Sequence, residues 1–182
     1  MPDIIPEQAL SLPITLSDLL ASRDRRQARQ QQWLATHVCT LIVLTVVVPG
    51  AIKDSPLTRR IFTAGWRQLH SLCTEQAWPV ISAETLALPT GCEGYLAVEA
   101  GAEEVKAMAV QLESQSAAGR LWDIDVISAE GQIFSRRDQG EPDRRCLLCG
   151  QSARLCGRQR THPVADLLAE IARRADAIPE NH

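Results

Sequence analysis

The chain has 182 residues and a formal charge of −3, with 45% hydrophobic and 23% charged residues, the balance of an ordinary globular protein and not of a disordered one. Only 4% of residues are aromatic and the pI is near 5.8, which argues against a base-stacking platform or a general nucleic-acid coat. Of 19 cationic residues, 17 are Arg, and Lys53 and Lys106 are the two lysines; the guanidinium fork suits phosphate oxygens, and a GC-rich genome is the bland alternative.

The opening stretch, with Asp3, Glu7 and three prolines by Pro13, carries no basic leader. The longest apolar run, 39–49, falls far short of the ~20 residues of a membrane span. A cytoplasmic protein is expected, and its six cysteines then read as thiols or metal ligands before disulfides. Thr15 to Asp18 is a helix-start signal, and 16 to about 36 reads as a helix studded with Arg23, Arg25, Arg26 and Arg29. Those arginines fit either a solvated face or guanidinium groups offered to an anion. Residues 39–48 read as a strand buried on both faces, stopped by Pro49-Gly50. Ser55-Pro56 opens a second helix, with Leu57, Ile61, Leu69, Leu72 and Cys73 at helical spacing. Two strands follow, at 78–88 and 93–99, around the Pro89-Thr90-Gly91 turn; 101–115 is helical, with Val105, Met108, Ala109 and Leu112 inward. A strand at 121–129 turns at Glu130-Gly131 into another that ends near Ser135. The segment 136–162 is rich in Cys and Arg, and 163–177 closes as a helix with Val164, Leu167, Leu168 and Ile171 facing the core. This order predicts an α+β fold, a mixed sheet with helices packed on it, in one domain spanning 1–182.

The stretch 119–127, GRLWDIDVI, is the most informative. Side chains alternate along a strand, so Asp123 and Asp125 share one face while Trp122, Ile124 and Val126 take the core face. Their Cα atoms should stand roughly 6.6 Å apart, two steps of ~3.3 Å. Two neighbouring carboxylates repel, and a divalent cation removes that conflict. Mg²⁺ takes a couple of carboxylates and completes its shell with water and phosphate oxygens, which suits phosphoryl or nucleotidyl transfer. Glu113 and Glu99 are candidates for a third ligand, and Gly119 would let backbone approach a phosphate. The alternative is an exposed strand face with two solvated aspartates.

Cys146, Cys149, Cys156 and His162 follow the spacing C-x2-C-x6-C-x5-H, which a Cys₃His zinc site accepts; buried inert thiols are the alternative. Between Phe134 and Arg160, seven arginines face three carboxylates, a local +4 in an acidic chain. That reversal points to an anion pocket or to a solvated loop.

These stretches together resemble the citrate lyase holo-acyl-carrier-protein synthases, the phosphoribosyl-dephospho-CoA transferases. The resemblance rests on GRLWDIDVI, Ser135-Arg136, R-C-L-L-C at 145–149 and A-x-x-C-x-R-x-R-x-H at 153–162. It extends to Leu19-Leu20-x-x-Arg23-x-x-Arg26 with Gln30, to Pro49-Gly50 before Lys53, to Thr90-Gly91 and to Val105-Lys106. Val47 stands where the family tends to have Asn, and Ala117-Ala118 where it often has Pro-Leu.

The resemblance implies transfer of the phosphoribosyl-dephospho-CoA group from 2′-(5″-triphosphoribosyl)-3′-dephospho-CoA to a serine of the apo citrate lyase acyl carrier protein, with release of pyrophosphate. A similar paired-Asp motif in the malonate decarboxylase transferases suggests, by analogy, a nucleotidyltransferase-like fold. Asp123 and Asp125 are then expected to hold Mg²⁺ against the triphosphate. Gly119, Arg120, Arg136, Arg145, Arg158, Arg160, Lys53 and Lys106 are the expected substrate contacts. His162 would orient a phosphate, assist the serine proton or simply pack. A non-catalytic zinc-stabilised module that binds the carrier protein is the rival reading, and a transferase of ordinary nucleotides a second.

Overall fold

A computed structural model describes residues 5, 6, 9 and 11–178. Asp3 and Glu7 of the opening stretch lie outside the described residues. Helix α1 (Leu16–His37) starts at a reciprocal capping box: the Thr15 hydroxyl accepts from the Asp18 N–H, and the Asp18 carboxylate accepts from the Thr15 N–H at 2.8 Å. Helix α2 (Pro56–Glu75) repeats the device with Ser55 and Thr58, and has Pro56 in its first turn. The remaining elements are β1 (Thr40–Val46), β2 (Val80–Leu86), β3 (Glu93–Val98), α3 (Ala102–Ser114), β4 (Trp122–Ile127), β5 (Ile133–Phe134), α4 (Ala153–Gln159) and α5 (Val164–Ala175). Among the described residues no helix is long and apolar enough to cross a membrane.

The five strands form one sheet in the order β2-β3-β1-β4-β5, and each neighbouring pair is antiparallel. The fold is α+β, as the pattern of elements predicts. One face of the sheet (Ile42, Leu44, Leu96, Trp122, Ile124 and Val126) packs against α2, α3 and α5 through Ile61, Phe62, Trp66, Val105 and Ile171. The other face (Leu41, Val43, Tyr95, Ala97 and Ile127) lies under Trp33 and Leu34 of α1. Strand β1 is central and covered on both sides, which is why its sequence is apolar without alternation. Each fully buried aliphatic side chain contributes about 1.5–3 kcal/mol.

The arginines of α1 divide. Arg26 and Arg29 donate at 2.8 and 2.5 Å to Glu93, a carboxylate only 1% exposed, and Arg29 also reaches the Tyr95 hydroxyl at 3.0 Å. Two of the four thus meet an anion, but one belonging to the chain itself. A buried carboxylate needs such charged partners.

Two local expectations change. Helix α5 buries Ile171 and Ala175, while Val164 and Leu168 are 45% and 39% exposed; the first half of the helix stands off the core. Gly119 sits in a 3-10 turn, and a Cβ there would come 2.4 Å from the Leu112 carbonyl oxygen. The close approach it permits is therefore to α3. Gly119→Ala is expected to destabilise the fold by about 2 kcal/mol, as overpacking against rigid backbone does, read as a lower urea midpoint.

Candidate functional site

Strand β5 pairs only with Val126 and Ile127, so the first half of the β4 edge has no strand beside it. Side chains complete it instead. Lys106 Nζ donates to the Ile124 carbonyl at 2.7 Å, the Ile124 N–H donates to Glu113 Oε1 at 2.9 Å, and Arg144 Nη1 donates to the Trp122 carbonyl at 2.9 Å. Glu113, 2% exposed, also accepts from Arg136 Nη1 at 2.6 Å and from Arg144. Burial raises its pKa, and Arg144 and the Ile124 N–H oppose that rise. A buried carboxylate between two guanidinium groups thus anchors the strand that carries the aspartates.

Asp123 and Asp125 occupy alternate positions of β4, opposite Thr45 and Val43 of β1. Both line a cavity of about 570 Å³ with Lys106, Arg136, Arg144 and Arg154. Asp123 is half exposed and has Arg144 Nη2 at 3.1 Å. Among the described residues no hydrogen bond or ion pair reaches the Asp125 carboxylate, although its backbone pairs with β1. Its carboxyl titrates above the ordinary range, first because burial disfavours the anion and second because Asp123 repels it; Lys106 and Arg26 work the other way. Arg136 Nε is also buried without a hydrogen-bond partner among the described residues. Asp123 additionally lines a second cavity of about 170 Å³, where Arg23 and Arg26 of α1, Lys53 and the Thr90-Gly91 turn converge. Lys53 donates to the Val48 carbonyl; burial and then Arg23 lower its pKa.

The Cys/Arg segment is more ordered than a polar loop. An isolated bridge between Arg145 and Ser152 closes a short hairpin, with the Cys146 N–H donating to the Gln151 carbonyl at 2.8 Å. Helix α4 then presents Cys156, and a left-handed residue, Arg160, turns the chain back towards His162. Cys149 Sγ lies 3.5 Å from Cys156 Sγ and 3.2 Å from His162 Nε2. The ligand atoms of Cys146, Cys149, Cys156 and His162 all fall within 4.8 Å of one another. Four such atoms form a cluster able to hold a metal ion and compatible with zinc.

The structure therefore separates the expected site residues into groups. Lys106 and Arg136 stand with the aspartates, and Lys53 is in the cavity next to them. Arg120, Arg160 and His162 line an apolar groove of about 400 Å³ beside the cysteines. Arg145 shares a basin with Arg120, Arg136, Arg144 and Arg174, while Arg158 is exposed on α4. Of the two expected third ligands, Glu99 follows Val98, which pairs with Thr40 at the opposite end of the ladder from Asp123. Glu113 has both oxygens engaged. Sequence reasoning missed Arg144 as the residue linking Glu113 to Asp123; its only signal was the Arg144-Arg145 pair ahead of Cys146.

Comparison with known proteins identifies the family. The family described as apo-citrate lyase phosphoribosyl-dephospho-CoA transferase matches residues 14–178. A protein of that name from Citrobacter koseri is 50% identical over 168 residues, covering 92% of both chains. Those from Escherichia coli O1:K1 and Shigella boydii serotype 18 are 48% and 47% identical, each covering 91% of this chain and 90% of its own. With that identity across nearly the whole length, the chain belongs to the apo-citrate lyase phosphoribosyl-dephospho-CoA transferase family.

Proposed function

We propose that this chain acts as one transferase domain that moves the phosphoribosyl-dephospho-CoA group from 2′-(5″-triphosphoribosyl)-3′-dephospho-CoA to a serine of the apo citrate lyase acyl carrier protein. The observation that carries this reading is the pair of aspartates on one face of β4, open to a cavity ringed by Arg136, Arg144, Arg154 and Lys106. The serine oxygen bonds to the phosphorus next to the ribose, the bond from that phosphorus to the bridging oxygen breaks, and pyrophosphate leaves; the hydroxyl proton goes to solvent. The nucleophile comes from the partner, so this chain has to align and neutralise a highly anionic donor.

The residues fit a hard divalent cation. Asp123 and Asp125 offer carboxylate oxygens, among the described residues the Asp125 carboxylate meets no hydrogen-bond donor, and repulsion between the two is there to be relieved. They would hold Mg²⁺, which when bound neutralises charge on the triphosphate. Arg136, Arg144 and Arg154 face the same space, and Arg23, Arg26 and Lys53 extend it past Asp123. The cytoplasm is the compartment in which such a donor would be met. The test is pyrophosphate release on mixing the chain with donor and apo carrier. Release with donor and not with ATP or CTP supports the reading; no release with donor overturns it.

The cysteine cluster would hold zinc in a structural role. A tetrahedral shell with Zn–S near 2.3 Å places its sulfurs roughly 3.8 Å apart, close to the 3.5 Å between Cys149 and Cys156. Purified protein is expected to contain about one zinc per chain by mass spectrometry, and a strong chelator to lower its Tm. Metal-free protein with an unchanged Tm would rule the zinc out.

A further inference from the structure

We propose that the apolar groove between the end of β1 and α5 seats the adenosine diphosphate half of the donor. This subsite rests on the transfer reaction proposed above. One wall is formed by Val47, Val48 and Pro49, the other by Val164 and Leu167, with Arg120 and Arg160 also lining the groove.

Position is the first argument. The groove shares Val48 with the Lys53 cavity and Ala153 with the aspartate cavity, so it adjoins both places where the triphosphate would be held. In the donor, the triphosphoribosyl group is joined to the 2′ oxygen of the adenosine. Anchoring the triphosphate therefore brings the adenosine within one ribose of it. The pantetheine arm lies farther off, beyond the diphosphate, and needs no part of this groove.

Chemistry is the second argument. At about 400 Å³ the groove falls in the size range of small-molecule sites, which are mostly apolar with a few placed polar groups. The aspartate cavity beside it is lined chiefly by charged residues, and the Lys53 cavity adds Arg23, Arg26 and Lys53, which suits a triphosphate; this groove suits a purine ring and a sugar. Arg120 and Arg160 supply guanidinium donors for the two phosphates on the 5′ side. Val164 is 45% exposed at the start of α5, where the sequence pattern directs it inward. A purine laid along the groove covers it, which is a burial that folding alone leaves undone.

The test uses equilibrium dialysis of the full chain with three probes: dephospho-CoA, ADP and inorganic tripolyphosphate. Dephospho-CoA and ADP are expected to bind the wild-type chain. Val164→Asp sets a hydrated carboxylate where the purine would lie, and Asp in a first helical turn keeps the helix stable. It should weaken both nucleotide probes on the order of tenfold, because that charge would have to be desolvated and also repels the nearby phosphates. Arg160→Ala should do the same, and neither substitution should change tripolyphosphate binding. Nucleotide affinity that ignores both substitutions, equal loss of all three probes, or no nucleotide binding to wild type would overturn the subsite. The two proposals fail differently: the transfer reading fails when wild type releases no pyrophosphate from full donor. The subsite fails on the dialysis result, whether or not that release occurs.

Discussion

Asp123→Asn and Asp125→Asn are each expected to lower pyrophosphate release by on the order of a thousandfold or more, the scale for losing a charge contact that acts in the transition state. The fold should survive both changes. Asp123 is half exposed, and Arg144 keeps its bonds to Glu113 and to the Trp122 carbonyl without it. For Asp125 the expectation goes further. Its carboxyl holds a proton more tightly in the folded chain than in the unfolded one, because burial and the Asp123 charge disfavour ionisation. That penalty is absent below the ordinary carboxylate pKa and is fully present above the raised folded value. Metal-free wild type should therefore lose stability relative to Asp125→Asn as pH rises through that window. Near neutral pH, in chelator, the inactive Asp125→Asn protein should melt at the higher temperature, an exchange of stability for function common at active sites. Near-normal turnover in both variants would remove the aspartates from the mechanism. A lower Tm for Asp125→Asn would show that the carboxylate is supported in a way its surroundings do not reveal.

Replacing Glu113 is the second large effect, and it acts on stability first. Glu113→Ala leaves the Ile124 N–H, Arg136 and Arg144 without their shared acceptor in a buried setting. Removing one member of a buried charge network costs about 3–5 kcal/mol, which is a large share of a domain's net stability. The urea midpoint should fall accordingly. Glu113→Gln is the discriminating variant. It keeps an oxygen for the Ile124 N–H, so the strand edge stays closed, but it no longer binds Arg136 and Arg144 by charge. Glu113 would be a positioning residue acting through those two arginines. The Gln variant should then stay folded and show weaker donor binding, with KM raised more than kcat is lowered. An Ala variant as stable as wild type would contradict the central place given to Glu113.

Much of the fold was legible in the sequence where one local rule decides. Thr15 and Ser55 announce their helices because a cap needs only its own next turn. The run 39–48 reveals a strand covered on both faces because an unbroken set of β-branched and aliphatic residues has no solvent side to present. The alternation in WDIDVI places the two aspartates together because side-chain period along a strand is a matter of backbone geometry. The spacing of Cys146, Cys149, Cys156 and His162 suggests shared ligation because a short hairpin and one turn of helix span so few residues.

The rest depends on contacts between distant segments. Nothing local tells that Arg26 and Arg29 turn inward to Glu93, 64 or more residues away, or that Arg23, Arg26 and Lys53 meet Asp123 at a cavity. Helix α4 is hidden in a polar, arginine-rich stretch because seven residues with one buried position, Cys156, leave almost no periodic signal. The exposed start of α5 has an apolar pattern that pointed inward, and the pattern cannot tell burial in a core from one side of a groove.

By itself, then, the sequence determined the element order apart from α4, the shared face of Asp123 and Asp125 and the cysteine–histidine set, since each follows from spacing along a short stretch of chain. Tertiary structure alone decided which carboxylate each arginine meets inside the chain, which arginines face the cavities, and why Glu113 supports β4. A charge is available or neutralised according to what the folded chain brings beside it, and that neighbour lies tens of residues away.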